Sequence, residues 1–166
     1  MNNNDLYKQM TLKKNIYILP TDIHKNIDDL IKQKLDNDLN GLCIKEGYVK
    51  PFSNVILLRS EGSLKISNFK AVIYYNIKYN TMICNPIEGQ ILDCIVSDVN
   101  VSIINCYIET EETSPLNIFL SKQHHLGNVE YEKLKPNDNI KVKVLAKKFN
   151  YLDKKIFVIA EFQQFV

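Results

Sequence analysis

The sequence predicts two unlike halves: an α+β N-terminal domain with one helix laid on an antiparallel sheet, then an all-β barrel of five strands. Three observations carry this. Ile23, Ile27, Leu30, Ile31 and Leu35 recur at spacings of three and four, with Asp28, Asp29, Lys32 and Lys34 largely away from that stripe, which is the periodicity of an amphipathic helix. From Gln90 to Phe162 no convincing helical pattern occurs, and strand-like runs alternate with polar loops. Between the two regions, Asn85-Pro86-Ile87-Glu88-Gly89 interrupts runs of branched and aromatic residues. Proline removes a ladder donor and restricts its predecessor, while glycine relaxes the backbone, so this cluster reads as a joint.

Residues 1–14, headed by Asn2-Asn3-Asn4, are polar and are expected to form a loose tail; residues 15–86 make the first domain and 87–166 the second. Ile16–Leu19 is a short strand. Pro20-Thr21-Asp22 opens the helix, with Thr21 or Asp22 placed to cap its free N–H groups, and Gly41 ends the helix region. The apolar stripe then packs on the sheet that follows. Leu42–Leu58 carries two strand-like runs around Gly47-Tyr48, Arg59-Ser60-Glu61-Gly62 makes a turn, Leu64-Lys65-Ile66 resumes the alternation, and Ala71–Ile83 is a long strand. In the second half the strands are Gln90–Val99, Val101–Ile108, Leu116–Ser121, Asn139–Ala146 and Lys155–Phe162. Five strands in so short a stretch suit a small closed barrel of the oligonucleotide-binding (OB) type. In the fourth strand Ile140, Val142 and Val144 point one way and Lys141 and Lys143 the other, so lysines line an outer stripe that a phosphate backbone could follow.

Composition bounds the chemistry. At 166 residues, 45% hydrophobic and 24% charged, the chain has the make-up of a soluble globular protein. Split at Pro86, each half holds roughly 80 residues, a size at which one hydrophobic core leaves little net stability, so each half should lean on the other or on a partner. The net charge of +2 does not by itself mark a nucleic-acid binder, and with Arg59 the only arginine, bidentate phosphate clamps are nearly excluded. Cys43, Cys84, Cys94 and Cys106 lie in apolar runs without Cys-x-x-Cys spacing, which fits small core residues in a reducing compartment better than a zinc site. No run of some 18 apolar residues occurs, and the Asn-rich start lacks the apolar core of a signal peptide. A soluble, intracellular protein without membrane contact is expected.

The order of these signals resembles one family: the larger stalk subunit of multisubunit DNA-directed RNA polymerases, found in archaea and, in eukaryotes, as the seventh subunit of polymerase II. The residues that carry the resemblance are Leu19-Pro20 before the helix, Gly41 after it, Gly47-Tyr48, Gly62, Ile77-Lys78-Tyr79, Pro86-Ile87-Glu88-Gly89-Gln90 at the joint, and Ser114-Pro115-Leu116-Asn117-Ile118-Phe119-Leu120-Ser121 in the barrel. The match runs from about Asn15 to Phe162, and its specificity lies in the order of motifs that are each weak alone. The resemblance implies a ribonucleoprotein-like first domain that docks on the polymerase core, an S1-type barrel that meets nascent single-stranded RNA, and a smaller stalk partner packed along the joint. Docking in the family uses the turn before the helix and the turn before the long strand. These fall here on Pro20, Thr21 and His24, and on Arg59, Glu61, Gly62 and Lys65; Asn85, Pro86, Glu88 and Gly89 form the joint. The abundance of Asn, Lys and Ile suits an AT-rich genome, in keeping with a version from a large DNA virus. The localisation implied is with the transcription machinery, in a nucleus or a viral factory or virion.

The sequence departs from S1-type barrels where these usually carry a Phe-Gly and a further aromatic in the second strand, since Val101-Ser102 and Ile104 stand there. Phe119 is the compensating candidate. With Ile118 and Leu120 in the interior, Phe119 and Asn117 face outward; a register shifted by one would bury Phe119 instead. Tyr107, His124, Lys141, Lys143, Lys147, Lys148 and Tyr151 complete the candidate RNA-binding set, with Phe149 and Tyr151 interleaved among lysines as sequence-tolerant single-strand binding requires. His124-His125 could hydrogen-bond or stack on a base, or be a solvent-exposed pair; adjacent loop histidines face different ways and rarely share a metal.

No phosphate-binding glycine loop, nucleophile elbow or ordered Ser/His/Asp set occurs, so no catalytic residue, metal or cofactor is expected. The sequence therefore predicts a non-catalytic polymerase stalk subunit. A free-standing S1-like RNA-binding or translation factor is the alternative. A metal-dependent ribonuclease built on the acidic loop Glu109, Glu111 and Glu112 is a more distant one.

Overall fold

The computed structural model describes residues 6–23, 26–67, 70–110 and 113–166. The first half is built on one strand, β6, Lys70–Cys84, whose branched and aromatic run holds an extended backbone over 15 residues. One edge of β6 pairs antiparallel with β1, Tyr7–Ile18, from Tyr7 opposite Cys84 to Ile18 opposite Ile73. Its other edge takes, in turn, β5 (Ser63–Ser67), β4 (Val55–Arg59) and β3 (Gly47–Val49), and β2 (Cys43–Ile44) pairs with β3. The first strand is thus far longer than the Ile16–Leu19 expected, and the polar stretch from Tyr7 to Lys14 is strand and not loose tail. Ladder bonds to β6 order a sequence whose own side chains give little reason to fold.

One helix, α1 (Ile27–Leu39), backs this sheet with Ile31, Leu35 and Leu39 buried. They meet Ile16, Ile18, Tyr75, Ile77 and Tyr79 in one core. Pro20–Asp22 forms a separate 3-10 turn, and the helix cap is Asn26, whose side chain accepts from the Asp28 N–H at 3.2 Å. The expected cap at Thr21 or Asp22 is therefore displaced, and Ile23 falls outside the helix, 41% exposed.

The second half is a closed barrel of β7 (Ile91–Val99), β8 (Ile103–Tyr107), β9 (Leu116–Ser121), β10 (Asn139–Lys148) and β11 (Ile156–Phe165). Its pairing order is β10-β11-β9-β8-β7 with β10 returning to β7, and β9 and β11 run parallel, the closure of an OB-type barrel. Alternation fills it: Leu92, Cys94, Val96, Ile104, Ile118, Leu120, Ile140, Val142, Val144, Val158 and Ala160 point inward. Cys43, Tyr48 and Cys84 of the first sheet belong to this same core, so apolar packing crosses the joint.

Backbone bonds cross it as well. In the β10–β11 turn the Leu152 N–H donates to the Cys43 carbonyl at 2.8 Å, and the Cys43 N–H donates to the Asp153 carbonyl at 2.7 Å. The Lys147 ammonium donates to the Pro86 carbonyl at 2.7 Å and to Asn85 Oδ1, and the Asn85 amide donates to the Glu46 carbonyl at 2.7 Å. Gly89 takes φ +82°, a turn conformation that glycine adopts without penalty, and its N–H donates to the Val144 carbonyl at 2.8 Å.

Candidate nucleic-acid interface

The outward faces of four barrel strands assemble the site. Ile118 and Leu120 are fully buried, which sends Asn117 and Phe119 to the outer face in the expected register. Phe119 stands opposite Asn105 of β8 and opposite Ile159 of β11; Asn117 stands opposite Phe157, and Phe157 opposite Lys148 of β10. The Phe119 and Phe157 rings lie nearly parallel, 14° apart with centroids at 6.0 Å, and Phe157 and Ile159 remain 45% and 44% exposed. Tyr107, half-buried on β8, adds a third aromatic on the same side of its strand as Asn105. Partly exposed rings beside a lysine, Phe157 exposed and Phe119 and Tyr107 half-buried, give a surface on which a base can stack while its phosphate meets an ammonium group.

The candidate lysines do not all join this belt. Lys148 does, through its pairing with Phe157. Lys143 is exposed opposite Glu161, and Lys141 is half-buried opposite Asp93 and Gln164, so each has a carboxylate-bearing residue as a strand neighbour. Those carboxylates weaken the local attraction for phosphate. Lys147 is engaged at the joint by Asn85 and Pro86. Tyr151 is exposed on the turn that bonds to Cys43.

His124 and His125 differ sharply. Both lie in the 3-10 turn Lys122–His125, where His124 is exposed and His125 is 4% exposed. His125 Nε2 accepts from the Phe162 N–H at 2.7 Å, so its proton sits on Nδ1, which donates to the Ser121 carbonyl at 2.7 Å. Its ring stacks on Tyr131 at 4.2 Å, and the Tyr131 hydroxyl donates to the Leu120 carbonyl at 3.1 Å. The histidines are not a solvent-exposed pair; the second locks the end of the barrel.

At the other end of the molecule, Pro20 and Thr21 are exposed, and His24 lies outside the described residues. Arg59 donates to Asp28 in the first turn of α1, and Lys65 Nζ sits 4.2 Å from the Tyr74 ring centroid. Glu61 is exposed. Gly62 is exposed yet sterically required, because a Cβ there would lie 2.8 Å from both Ile73 Cγ2 and the Tyr75 hydroxyl. Leu58, Leu64 and Ile66 are 65%, 68% and 81% exposed around this turn. At the joint Pro86 is buried while Asn85, Glu88 and Gly89 are exposed; Glu109 is exposed, and Glu111 and Glu112 lie outside the described residues.

Sequence reasoning missed Phe157, Ile159 and the burial of His125. The first two had a signal: from Ile156 to Phe162 both parities are apolar, Phe157 and Ile159 between Ile156, Val158, Ala160 and Phe162, more apolar surface than a barrel interior can take. For His125 nothing local distinguishes it from His124; its partners are 4 and 37 residues away.

A helix-backed sheet joined to an OB-type barrel defines a two-part α+β and all-β class of protein. Comparison with known proteins narrows the class. The chain is 25% identical to a DNA-directed RNA polymerase subunit of Acanthamoeba polyphaga mimivirus, over 94% of this chain and 81% of that protein. It is 28% identical to DNA-directed RNA polymerase II subunit rpb7 of Dictyostelium discoideum, over 71% of this chain and 64% of that protein. It is 22% identical to DNA-directed RNA polymerase II subunit 7 of Arabidopsis thaliana, over 76% of this chain and 68% of that protein. No family model matches it. The chain is thus similar to the polymerase II subunit 7 proteins and to a viral RNA polymerase subunit.

Proposed function

We propose that this chain is a non-catalytic stalk subunit of a DNA-directed RNA polymerase, which docks on the core enzyme through its first half and contacts nascent RNA through its barrel. Similarity to polymerase subunits along nearly the whole chain supports membership of such a complex. The observation that carries the RNA contact is the Phe119–Phe157 pair on the outer barrel face with Asn117, Ile159 and Lys148 around it. Aromatic stacking contributes about 1–3 kcal/mol per base, sequence-tolerant and adequate once a polymerase holds the transcript nearby. The exposed turn from Arg59 to Lys65, with Leu58, Leu64 and Ile66 about it, supplies an apolar and charged docking end, and Pro20 and Thr21 lie on the turn before α1. A smaller partner along the joint would cover Asn85, Glu88 and Gly89.

Affinity purification from the source cell or virion, followed by subunit identification, tests membership. Large polymerase subunits should copurify; recovery without them would sink the proposal in favour of a free-standing RNA-binding factor. In the assembled enzyme, Phe119→Ala with Phe157→Ala should cut crosslinking to nascent RNA at least fivefold and leave assembly intact. Adding Lys143→Ala should contribute less, because Glu161 stands opposite it.

A further inference from the structure

One row of residues crosses four barrel strands on the outer face. Asp98 of β7 stands opposite Asn105 of β8, Asn105 opposite Phe119 of β9, and Phe119 opposite Ile159 of β11. Asp98 reaches this face only because of a β-bulge: the β7–β8 register slips between Val96 and Asp98. Val96 is fully buried, so strict alternation would turn Ser97 outward and Asp98 inward. The extra residue re-aims Asp98 to the outside, where it is exposed. The Ser97 hydroxyl fastens the bulge by donating to the Asn105 carbonyl at 3.0 Å.

The polar groups of this row are held in place with their bonding capacity largely unspent. The Asn100 amide donates to Asp98 Oδ2 at 2.6 Å, which orients the carboxylate and leaves most of its acceptor positions open. Among the described residues Asp98 makes no ion pair, and the half-buried side-chain amide of Asn105 has no hydrogen-bond partner. Two strand spacings, roughly 10 Å in all, separate the Asp98 and Phe119 backbones, the width that a base stacked on the Phe119 ring and one hydrogen bond fill. A stacked base would therefore present its polar edge to an amide and a carboxylate.

We infer that the barrel face selects guanine, stacked on Phe119, with its N1–H and N2–H donated to the Asp98 carboxylate and its O6 accepting from the Asn105 amide. Guanine alone among the four RNA bases carries two adjacent N–H donors on one edge, the match for the two oxygens of a carboxylate. Uracil offers a single N–H between two carbonyl oxygens, which the second carboxylate oxygen repels, so the row discriminates by repulsion as well as by attraction. Adenine and cytosine each offer one amino group beside a ring nitrogen that accepts, and they leave one carboxylate oxygen without a donor. The carboxylate also disfavours phosphate nearby; Lys148, beside Phe157, supplies the opposing charge. The inference rests on the proposed RNA contact at the Phe119–Phe157 pair and adds the base which that contact takes.

The test is binding of three fluorescein-labelled oligonucleotides to the full chain, read by anisotropy at low salt: an oligouridylate, and the same oligouridylate with either guanosine or inosine at its central position. The guanosine probe should bind about tenfold tighter than the oligouridylate. Inosine keeps N1–H and O6 but lacks the N2 amino group, so its probe should gain at most about threefold. In Asp98→Asn an amide stands where guanine needs two acceptors, and the guanosine preference should fall below about twofold. Asn105→Ala should reduce it to about threefold. Equal affinity of the wild-type chain for all three probes, with Phe119→Ala and Phe157→Ala together weakening every one, would overturn the selection of guanine and leave the barrel contact standing. A guanosine preference that inosine reproduces, or that survives Asp98→Asn, would also overturn it, because the carboxylate would then read nothing. A preference untouched by Phe119→Ala with Phe157→Ala would remove the stacking platform and the inference with it, as would absence of binding to any probe.

Discussion

His125 shows how one side chain closes the barrel. Its two nitrogens bridge the end of β9 to β11, accepting from the Phe162 N–H and donating to the Ser121 carbonyl, while its ring covers Tyr131. Removing it leaves a buried N–H and a buried carbonyl without partners and opens a cavity against an aromatic ring. An unpaired buried group costs about 1–3 kcal/mol, so His125→Ala should lower unfolding stability by about 3 kcal/mol in a urea titration. His124→Ala, at an exposed position of the same turn, should change it by less than about 0.5 kcal/mol. Equal effects would mean that the bridge contributes nothing. Phe119 and Phe157 present the opposite case, aromatic residues left partly in solvent where the barrel interior is already filled by Ile118, Leu120, Val158 and Ala160.

Among the elements, β6 organises the first half, and Gly47 lets β3 reach it. Gly47 has φ +137°, and a Cβ there would strike the Cys84 carbonyl and lie 2.9 Å from Asn85 Cβ and Ile83 Cγ2. Gly47→Ala should therefore cost about 2 kcal/mol or more, read as a drop in the denaturation midpoint, because backbone and not a flexible side chain stands in the way. A neutral outcome would show that β3 pairs less closely than its register with Tyr48 opposite Cys84 requires. The barrel strands were legible because alternation is imposed by a filled interior: the expected limits of β9 are those observed, and the others differ by a few residues at their ends. The apolar stripe of α1 was legible from Ile27 onward for the same reason. Its cap was not, since Pro20-Thr21-Asp22 satisfies the same local pattern as Asn26 and only the 3-10 turn separates them. Nor was the length of β1, whose polar residues from Lys8 to Lys14 are held by β6, a partner more than 60 residues away that no local pattern reveals. Within the candidate site, Phe119 could be placed by register alone, whereas the separation of Lys148 from Lys147 depends on Asn85 and Pro86 across the joint.

At the scale of the whole molecule the joint behaves as a seam. Cys43, Tyr48 and Cys84 are fully or almost fully buried in the core that the barrel strands line, and the bonds from Cys43 to the β10–β11 turn and from Lys147 to Asn85 and Pro86 close over them. Halves of roughly 80 residues have little stability apart, so a shared core should make them unfold together. Calorimetry of the full chain should show one transition whose calorimetric and van't Hoff enthalpies agree; two resolved transitions would refute the rigid seam. The same seam should be sensitive to alkali. Burial pushes the Cys43 thiol from 9.0 up to about 11, helped by nearby Asp153, and burial pushes Cys84 from 9.0 up to about 12. The folded state thus holds these protons more tightly than the unfolded chain, so the stability they contribute is whole below pH 9 and is lost as pH rises toward about 11 and 12. The single transition should fall in temperature across that window, and Cys43→Ala with Cys84→Ala should fall less steeply with pH while melting lower at neutral pH for lack of two buried side chains. An equal alkaline slope in the variant would place the titrating groups away from the seam.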